Sequence, residues 1–168
     1  CYMILSEQCN LACKYCFLGN NDTDKRSHFN LQNMSIETAE KAVNFFLKQL
    51  KTSGLDFEKE KPIVIFYGGE PLVNYPTLVY IAEKLLSLKE SEKCLKNLEM
   101  SMVTNGLLLD DDRIKKLKEL GIGVAISVDG FTEEENRMRI DRSGKVVFGK
   151  ILEKIERCQE LGLNISLS

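Results

Sequence analysis

The sequence predicts an α/β fold, a partial (β/α) barrel of parallel strands, on three observations. From Met34 onward short β-branched runs alternate with amphipathic helical stretches, the pattern of successive βα units around a parallel sheet. The run over 63–67 is apolar at almost every position, as a strand covered by helices requires. Five strand candidates fit into 168 residues, whereas a complete eight-unit barrel takes about 250.

The strands are expected over 2–6, 63–67, 98–104, 124–128 and 163–167, with four helices between them. The first helix begins after Ser35, whose hydroxyl can cap it, and carries Ile36, Ala39, Val43, Phe46, Leu47 and Leu50 on one face before stopping ahead of Gly54. Asn74 is the expected cap of the second, with Pro76 tolerated in its first turn and Leu78, Ile81, Ala82 and Leu85 facing inward. Asp110 introduces the third, Asp111 and Asp112 favour its positive end, and Gly121 ends it. The fourth runs over 146–161, with Val147, Ile151, Ile155 and Cys158 at helical spacing, and stops at Gly162.

Length favours one domain. The final strand ends without a covering helix or polar tail, so the chain is expected to be a truncated core with downstream structure missing. Lys and Arg total 23 against 25 for Asp and Glu, a net charge of −2, which removes the bulk electrostatic case for binding nucleic acid or an anionic membrane. No apolar run approaches the ~20 residues that cross a bilayer, and no secretion signal is visible. These features read as a soluble, cytoplasmic protein.

The six cysteines are unevenly placed. Cys9, Cys13 and Cys16 fall within eight residues just after the first strand, while Cys1, Cys94 and Cys158 are scattered. Thiolates at such spacing select soft metals, chiefly zinc and iron–sulfur clusters, and three of them on a four-iron cluster leave one iron open to another ligand. A zinc knot would need a fourth ligand; the only histidine, His28, sits in the polar loop 19–32 and reads as a solvated residue. Cys158 lies on an apolar helical stripe and reads as core, and Cys94, among lysines and glutamates, reads as an exposed thiol.

Glycines and polar residues recur where the next three strands end: Gly68, Gly69 and Glu70; Asn105 and Gly106; Ser127, Asp129 and Gly130. In a parallel βα barrel the strand ends and the βα loops form the reactive face, so these segments are expected to converge with the cysteines. Tight turns use glycine and Asn-Gly whatever the function. Glu70 carries more weight, because a carboxylate after so apolar a strand loses hydration unless it meets a donor such as an amine. Arg139 can pair with a carboxylate, or can belong with Arg137 and Arg142 to a solvated basic face.

The C-x-x-x-C-x-x-C spacing with Tyr15 before the last cysteine resembles the radical S-adenosylmethionine superfamily. Further along, 67–71 (YGGEP) resembles the family's G-G-E-P segment, 104–106 its T-N-G, and 127–130 (SVDG) the S-x-D-G of its peptide- and protein-maturing branch. The segments 136–139 and 144–148 are similar to a weakened H-D-x-x-R and G-x-G-x-F, with Glu135 where a histidine is expected and Val146 replacing the second glycine.

The resemblance implies that Cys9, Cys13 and Cys16 hold a 4Fe-4S cluster whose open iron binds S-adenosyl-L-methionine. It implies that Gly68, Gly69 and Glu70 receive the amino group, that Tyr15 lies against the adenine, that Ser127 and Arg139 hold the carboxylate or ribose side, and that Asn105 belongs to the same site. The implied reaction is reductive cleavage of S-adenosylmethionine to a 5′-deoxyadenosyl radical that abstracts hydrogen from a peptide or protein, with reduced flavodoxin or ferredoxin as electron donor. The cysteines alone leave other readings open: an iron–sulfur electron carrier, a zinc-stabilised interaction module, or a radical activase of another substrate class.

Overall fold

A computed structural model describes residues 1–18 and 32–168. Five parallel strands, β1 (Tyr2–Ser6), β2 (Ile63–Gly68), β3 (Glu99–Thr104), β4 (Ile122–Ile126) and β5 (Ile165–Leu167), form one sheet in the order β1-β2-β3-β4-β5. Each connection therefore leads to the adjacent strand, as in an opened section of a (β/α) barrel. The crossovers carry α1 (Ile36–Thr52), α2 (Tyr75–Leu88), α3 (Asp111–Glu119) and α4 (Phe148–Glu160).

Alternation along the strands divides the sheet into two faces. Met3, Leu5, Val64, Phe66, Met100, Met102, Val124 and Ile126 point to one side and are buried against Val43, Leu78, Ile81, Ile114, Leu117 and Ile151 of the helices. Tyr2, Ile4, Ile65, Tyr67, Ser101 and Ala125 occupy the other and keep contact with solvent. On that face the Tyr2 and Tyr67 rings meet edge to face, with centroids 6.0 Å apart.

Local chemistry sets the element ends. Ser35 caps α1 by accepting from the Thr38 amide at 3.1 Å, and Asp110 caps α3 by accepting from the Arg113 amide at 2.8 Å. Asn74 does not cap α2: its buried amide donates to the carbonyls of Leu5 at 2.8 Å and Met34 at 2.9 Å, tying the end of β1 to the segment that leads into α1 instead. Gly121 takes the left-handed conformation at φ +65°, and the chain enters β4 directly behind it, two residues earlier than the β-branched pattern over 124–128 predicts. The helix start expected at 146 falls at Phe148, and Ile36 is exposed although its spacing places it on the inward face of α1. Cys158 is core, as expected, but Cys94 is buried rather than exposed. A short 3-10 turn, Lys93–Leu95, turns Cys94 inward while its charged neighbours stay outside.

Candidate functional site

At the C-terminal edge of the sheet the loops leaving β1, β2, β3 and β4 enclose a cavity of about 170 Å³. Its lining includes every site residue expected from the sequence: Cys9, Cys13, Tyr15 and Cys16 from the first loop; Gly68, Gly69 and Glu70 from the second; Asn105 from the third; Ser127 and Arg139 from the fourth. His28 lies outside the described residues.

The first two loops are joined through backbone. The Gly69 amide donates to the Ser6 carbonyl at 2.7 Å, and the Glu70 amide donates to the Gln8 carbonyl at 2.8 Å. Such an approach admits no side chain. A Cβ on Gly68, which sits at φ +150°, would stand 2.2 Å from the Ser6 carbonyl oxygen, and one on Gly69 would stand 2.5 Å from that of Gln8. Both glycines are thus required to bring the second loop against the root of the cysteine loop.

Glu70 is 1% exposed. The donors that offset its burial are the protein's own: Oε1 accepts from the Leu72 amide at 3.0 Å and the Thr104 hydroxyl at 2.7 Å, and Oε2 accepts from the Asn105 amide at 2.9 Å. Burial lifts its carboxyl above the usual carboxylate range, opposed by those three donors and by Arg113. A carboxylate has about four lone-pair sites, so Oε2 keeps capacity for a further donor from the cavity.

Asn105 serves both the turn and the cysteine loop. Its Oδ1 accepts from the Leu107 amide at 3.0 Å, while Nδ2 donates to Asn10 Oδ1 at 2.8 Å and to Cys9 Sγ at 3.7 Å. Burial, the largest influence, raises the Cys9 thiol to about 11, and nearby Glu70 pushes in the same direction. Burial also raises the Cys13 thiol, against the lowering influence of Arg139. None of the six cysteines is in a disulfide.

The segment after β4 braces the cysteine loop along its other side. The Ala12 amide donates to the Ile140 carbonyl and the Lys14 amide to the Met138 carbonyl, both at 2.9 Å, and Arg142 donates to the Cys9 carbonyl at 2.7 Å. Arg139 is therefore not part of a solvated basic face. Its side chain is 12% exposed and paired with Asp129 at 2.8 Å, and its guanidinium lies 5.7 Å from the Tyr15 ring centre. Arg137 instead pairs with Glu134. Glu135, at the position where a histidine is expected, accepts from the Phe131 and Thr132 amides at 2.9 Å and shapes the turn.

Two residues to which the sequence reading assigns no role, Asp129 and Asn136, organise this wall. The Tyr15 hydroxyl lies 2.9 Å from both carboxylate oxygens of Asp129, and the Asp129 amide donates to Asn136 Oδ1 at 2.8 Å. Asn136 is fully buried and its Nδ2 donates to the carbonyls of Gly130 and Thr132. The signal available in the sequence was Asp129's place inside the S-x-D-G segment.

Among the described residues, no three His, Cys, Asp or Glu side chains form a ready site for a single metal ion. The donor set around the cavity is three thiols with a carboxylate, an arginine and turn amides close by. Three thiolates without a fourth suit a four-iron cluster with one iron left to another ligand, and the neighbouring polar groups suit a zwitterionic one.

Comparison with known proteins agrees with this geometry. The chain is 33% identical over 158 residues to a cysteine-type anaerobic sulfatase-maturating enzyme of Clostridium perfringens, covering 93% of the chain and 38% of that enzyme. It is 32% identical over 129 residues to the radical SAM cyclopropyl synthase TigE of Paramaledivibacter caminithermalis, covering 76% of the chain and 26% of the relative. The solved structure of anSMEcpe with bound AdoMet superposes with a TM-score of 0.74 at 27% identity, covering 99% of this chain and 42% of that one. The chain thus spans less than half the length of these relatives. Members of the family they represent use a 4Fe-4S cluster and S-adenosylmethionine. The model of the Radical SAM superfamily matches residues 3–168, and with the cavity built as described, the chain belongs to that superfamily.

Proposed function

We propose that this chain is the core of a radical S-adenosylmethionine enzyme that acts on a peptide or protein substrate. The observation that carries the reading is the convergence of the three loop thiols with Gly68, Gly69, Glu70, Asn105, Ser127 and Arg139 around one cavity. In this reading Cys9, Cys13 and Cys16 hold the cluster. The carbonyls of the Gly68-Gly69 turn and the remaining acceptor capacity of Glu70 bind the amino group of S-adenosylmethionine. Ser127 and Arg139 orient its carboxylate or ribose side, and the half-exposed ring of Tyr15 lies against the adenine. When bound, the cluster and S-adenosylmethionine supply reductive cleavage of a sulfonium carbon–sulfur bond and a carbon radical that abstracts hydrogen. The protein orients these groups and keeps water from the cavity floor, where Glu70 and Thr104 are almost wholly enclosed.

A peptide or protein substrate is supported by the sulfatase-maturating relatives and by the solved relative titled with AdoMet and the Cp18Cys peptide, which superposes with a TM-score of 0.72 at 25% identity. We assign electron supply to a reduced flavodoxin or ferredoxin and the reaction to the cytoplasm; no helix among the described residues is long and apolar enough to cross a membrane. The test is anaerobic reconstitution with iron and sulfide, reduction, and quantification of 5′-deoxyadenosine made from S-adenosylmethionine. Product that disappears when Cys9, Cys13 and Cys16 are replaced by alanine supports the reading. A cluster-loaded protein that binds no S-adenosylmethionine and forms no product points to an electron carrier instead.

A further inference from the structure

We propose that Asp129 is a positioning residue that latches the cysteine loop to the β4 loop and sets the Arg139 guanidinium toward the cavity; this rests on the radical S-adenosylmethionine reading above. Asp129 is not itself among the cavity-lining residues, but both of its partners are. Through the Tyr15 hydroxyl, 2.9 Å from each of its oxygens, it grips the residue adjacent to Cys16. Through Oδ1 it receives Arg139 Nε at 3.0 Å and Nη2 at 2.8 Å, which fixes the guanidinium plane and leaves Nη1 as the remaining edge. A planar, pre-set guanidinium suits recognition of a carboxylate.

The carboxylate has its own support. The Asp129 amide is held by the fully buried Asn136, so its backbone is fixed independently of Tyr15 and Arg139. Backbone bonds from Ala12 and Lys14 to Ile140 and Met138 run beside the latch, so loop order and the placement of Arg139 are coupled. A sulfonium ligand whose carboxylate reaches Arg139 thereby meets a group fixed to the same loop that carries the thiols.

The test begins with the metal-free full chain, using iodoacetamide alkylation read by peptide mass spectrometry. Cys94 and Cys158, buried in the core, report global opening. Asp129→Ala is expected to speed alkylation of Cys9 and Cys16 about tenfold with Cys94 and Cys158 unchanged. Tyr15→Phe is expected to act in the same direction, and the double variant to add little, because the two side chains form one interaction. Asp129→Asn, which keeps an acceptor for Tyr15, restores much of the protection. Unchanged loop rates, or equal acceleration at all the cysteines, overturn the latch.

The second measurement uses cluster-loaded protein and compares dissociation constants for S-adenosylmethionine and for 5′-methylthioadenosine, which has no amino-acid group. Asp129→Ala is expected to reduce the preference for S-adenosylmethionine about tenfold. An unchanged or increased preference overturns the role toward Arg139. If the unsubstituted protein binds no S-adenosylmethionine, the functional reading fails, and the alkylation rates still decide the latch.

Discussion

Glu70 Oε1 lies 2.7 Å from the Thr104 hydroxyl, so a buried carboxylate ties the exit of β2 to the exit of β3. The same carboxylate reaches the Leu72 amide on one side and the Asn105 amide on the other. The residue expected to meet a ligand amine is therefore also the stitch that holds two cavity walls together, and these roles can be separated by substitution.

In Glu70→Gln the amide must place its NH₂ against either the Asn105 amide or the Leu72 amide and Thr104 hydroxyl, so a donor faces a donor. The expected loss of stability is about 1–3 kcal/mol, measured by urea denaturation of the metal-free chain. Thr104→Val keeps the shape but removes both the donor to Glu70 and the acceptor of the Gly106 amide at 3.1 Å, at about 1–3 kcal/mol, with S-adenosylmethionine affinity retained. Equal stability of the Gln variant and the parent would show that the carboxylate is not the stitch described.

Gly69→Ala places a methyl group 2.5 Å from the Gln8 carbonyl oxygen and 2.8 Å from that of Glu7. Backbone cannot yield there without shifting the root of the cysteine loop. We expect destabilisation of about 2 kcal/mol or more and a clear drop in iron bound after reconstitution. At Gly149, where nothing lies within 4 Å of an added Cβ, alanine is expected to leave iron content unchanged.

The exposed pair Asp111–Arg157 joins α3 to α4, with Nε to Oδ1 at 2.8 Å. Hydrogen bonding from Arg157 holds the Asp111 carboxyl below its ordinary value. A depressed folded-state value adds stability above the unfolded-state pKa of about 4 and loses it as pH falls through the folded value. The stability difference between the parent and Asp111→Asn is thus expected near neutral pH and to close as pH falls below the unfolded-state value of about 4. Denaturation midpoints across that range measure it, and a difference that widens on acidification would contradict the assignment.

Much of this arrangement was legible in the sequence because it is encoded locally. Cys9, Cys13 and Cys16 announce themselves by spacing. Gly68, Asn105 and Ser127 are read by their places behind apolar strands, since parallel βα order sends all such loops to one edge. What escaped was set by tertiary demand. Asn74 has the chemistry of a cap, but the carbonyls of Leu5 and Met34, brought together by the Met34 amide's bond to Leu5, lie within its reach. Cys94 sits among charges, yet a single 3-10 turn leaves Lys93 and Lys96 exposed and buries Cys94 with Leu95. The partners of Asp129 are Tyr15, 114 residues away, and Arg139, ten residues away, and no periodicity links the three.

Asn105 offers the sharpest separation of turn from site. Its Oδ1 closes the turn by accepting from the Leu107 amide, and its Nδ2 alone reaches Asn10 and Cys9. Asn105→Asp keeps the acceptor and removes the donor, so the turn survives while a negative charge is set beside the Cys9 sulfur. A second negative charge there opposes a thiolate, and a cluster held by thiolates must overcome that repulsion. The expected outcome is iron retention under chelator challenge reduced several-fold, with stability lowered by about 1–3 kcal/mol because the new carboxylate is enclosed and faces the Asn10 oxygen. Asn105→Ala, which loses the turn acceptor as well, should lower both, by about 1–2 kcal/mol in stability. Full iron retention in the Asp variant would mean that Nδ2 does not contribute to holding the cysteine loop.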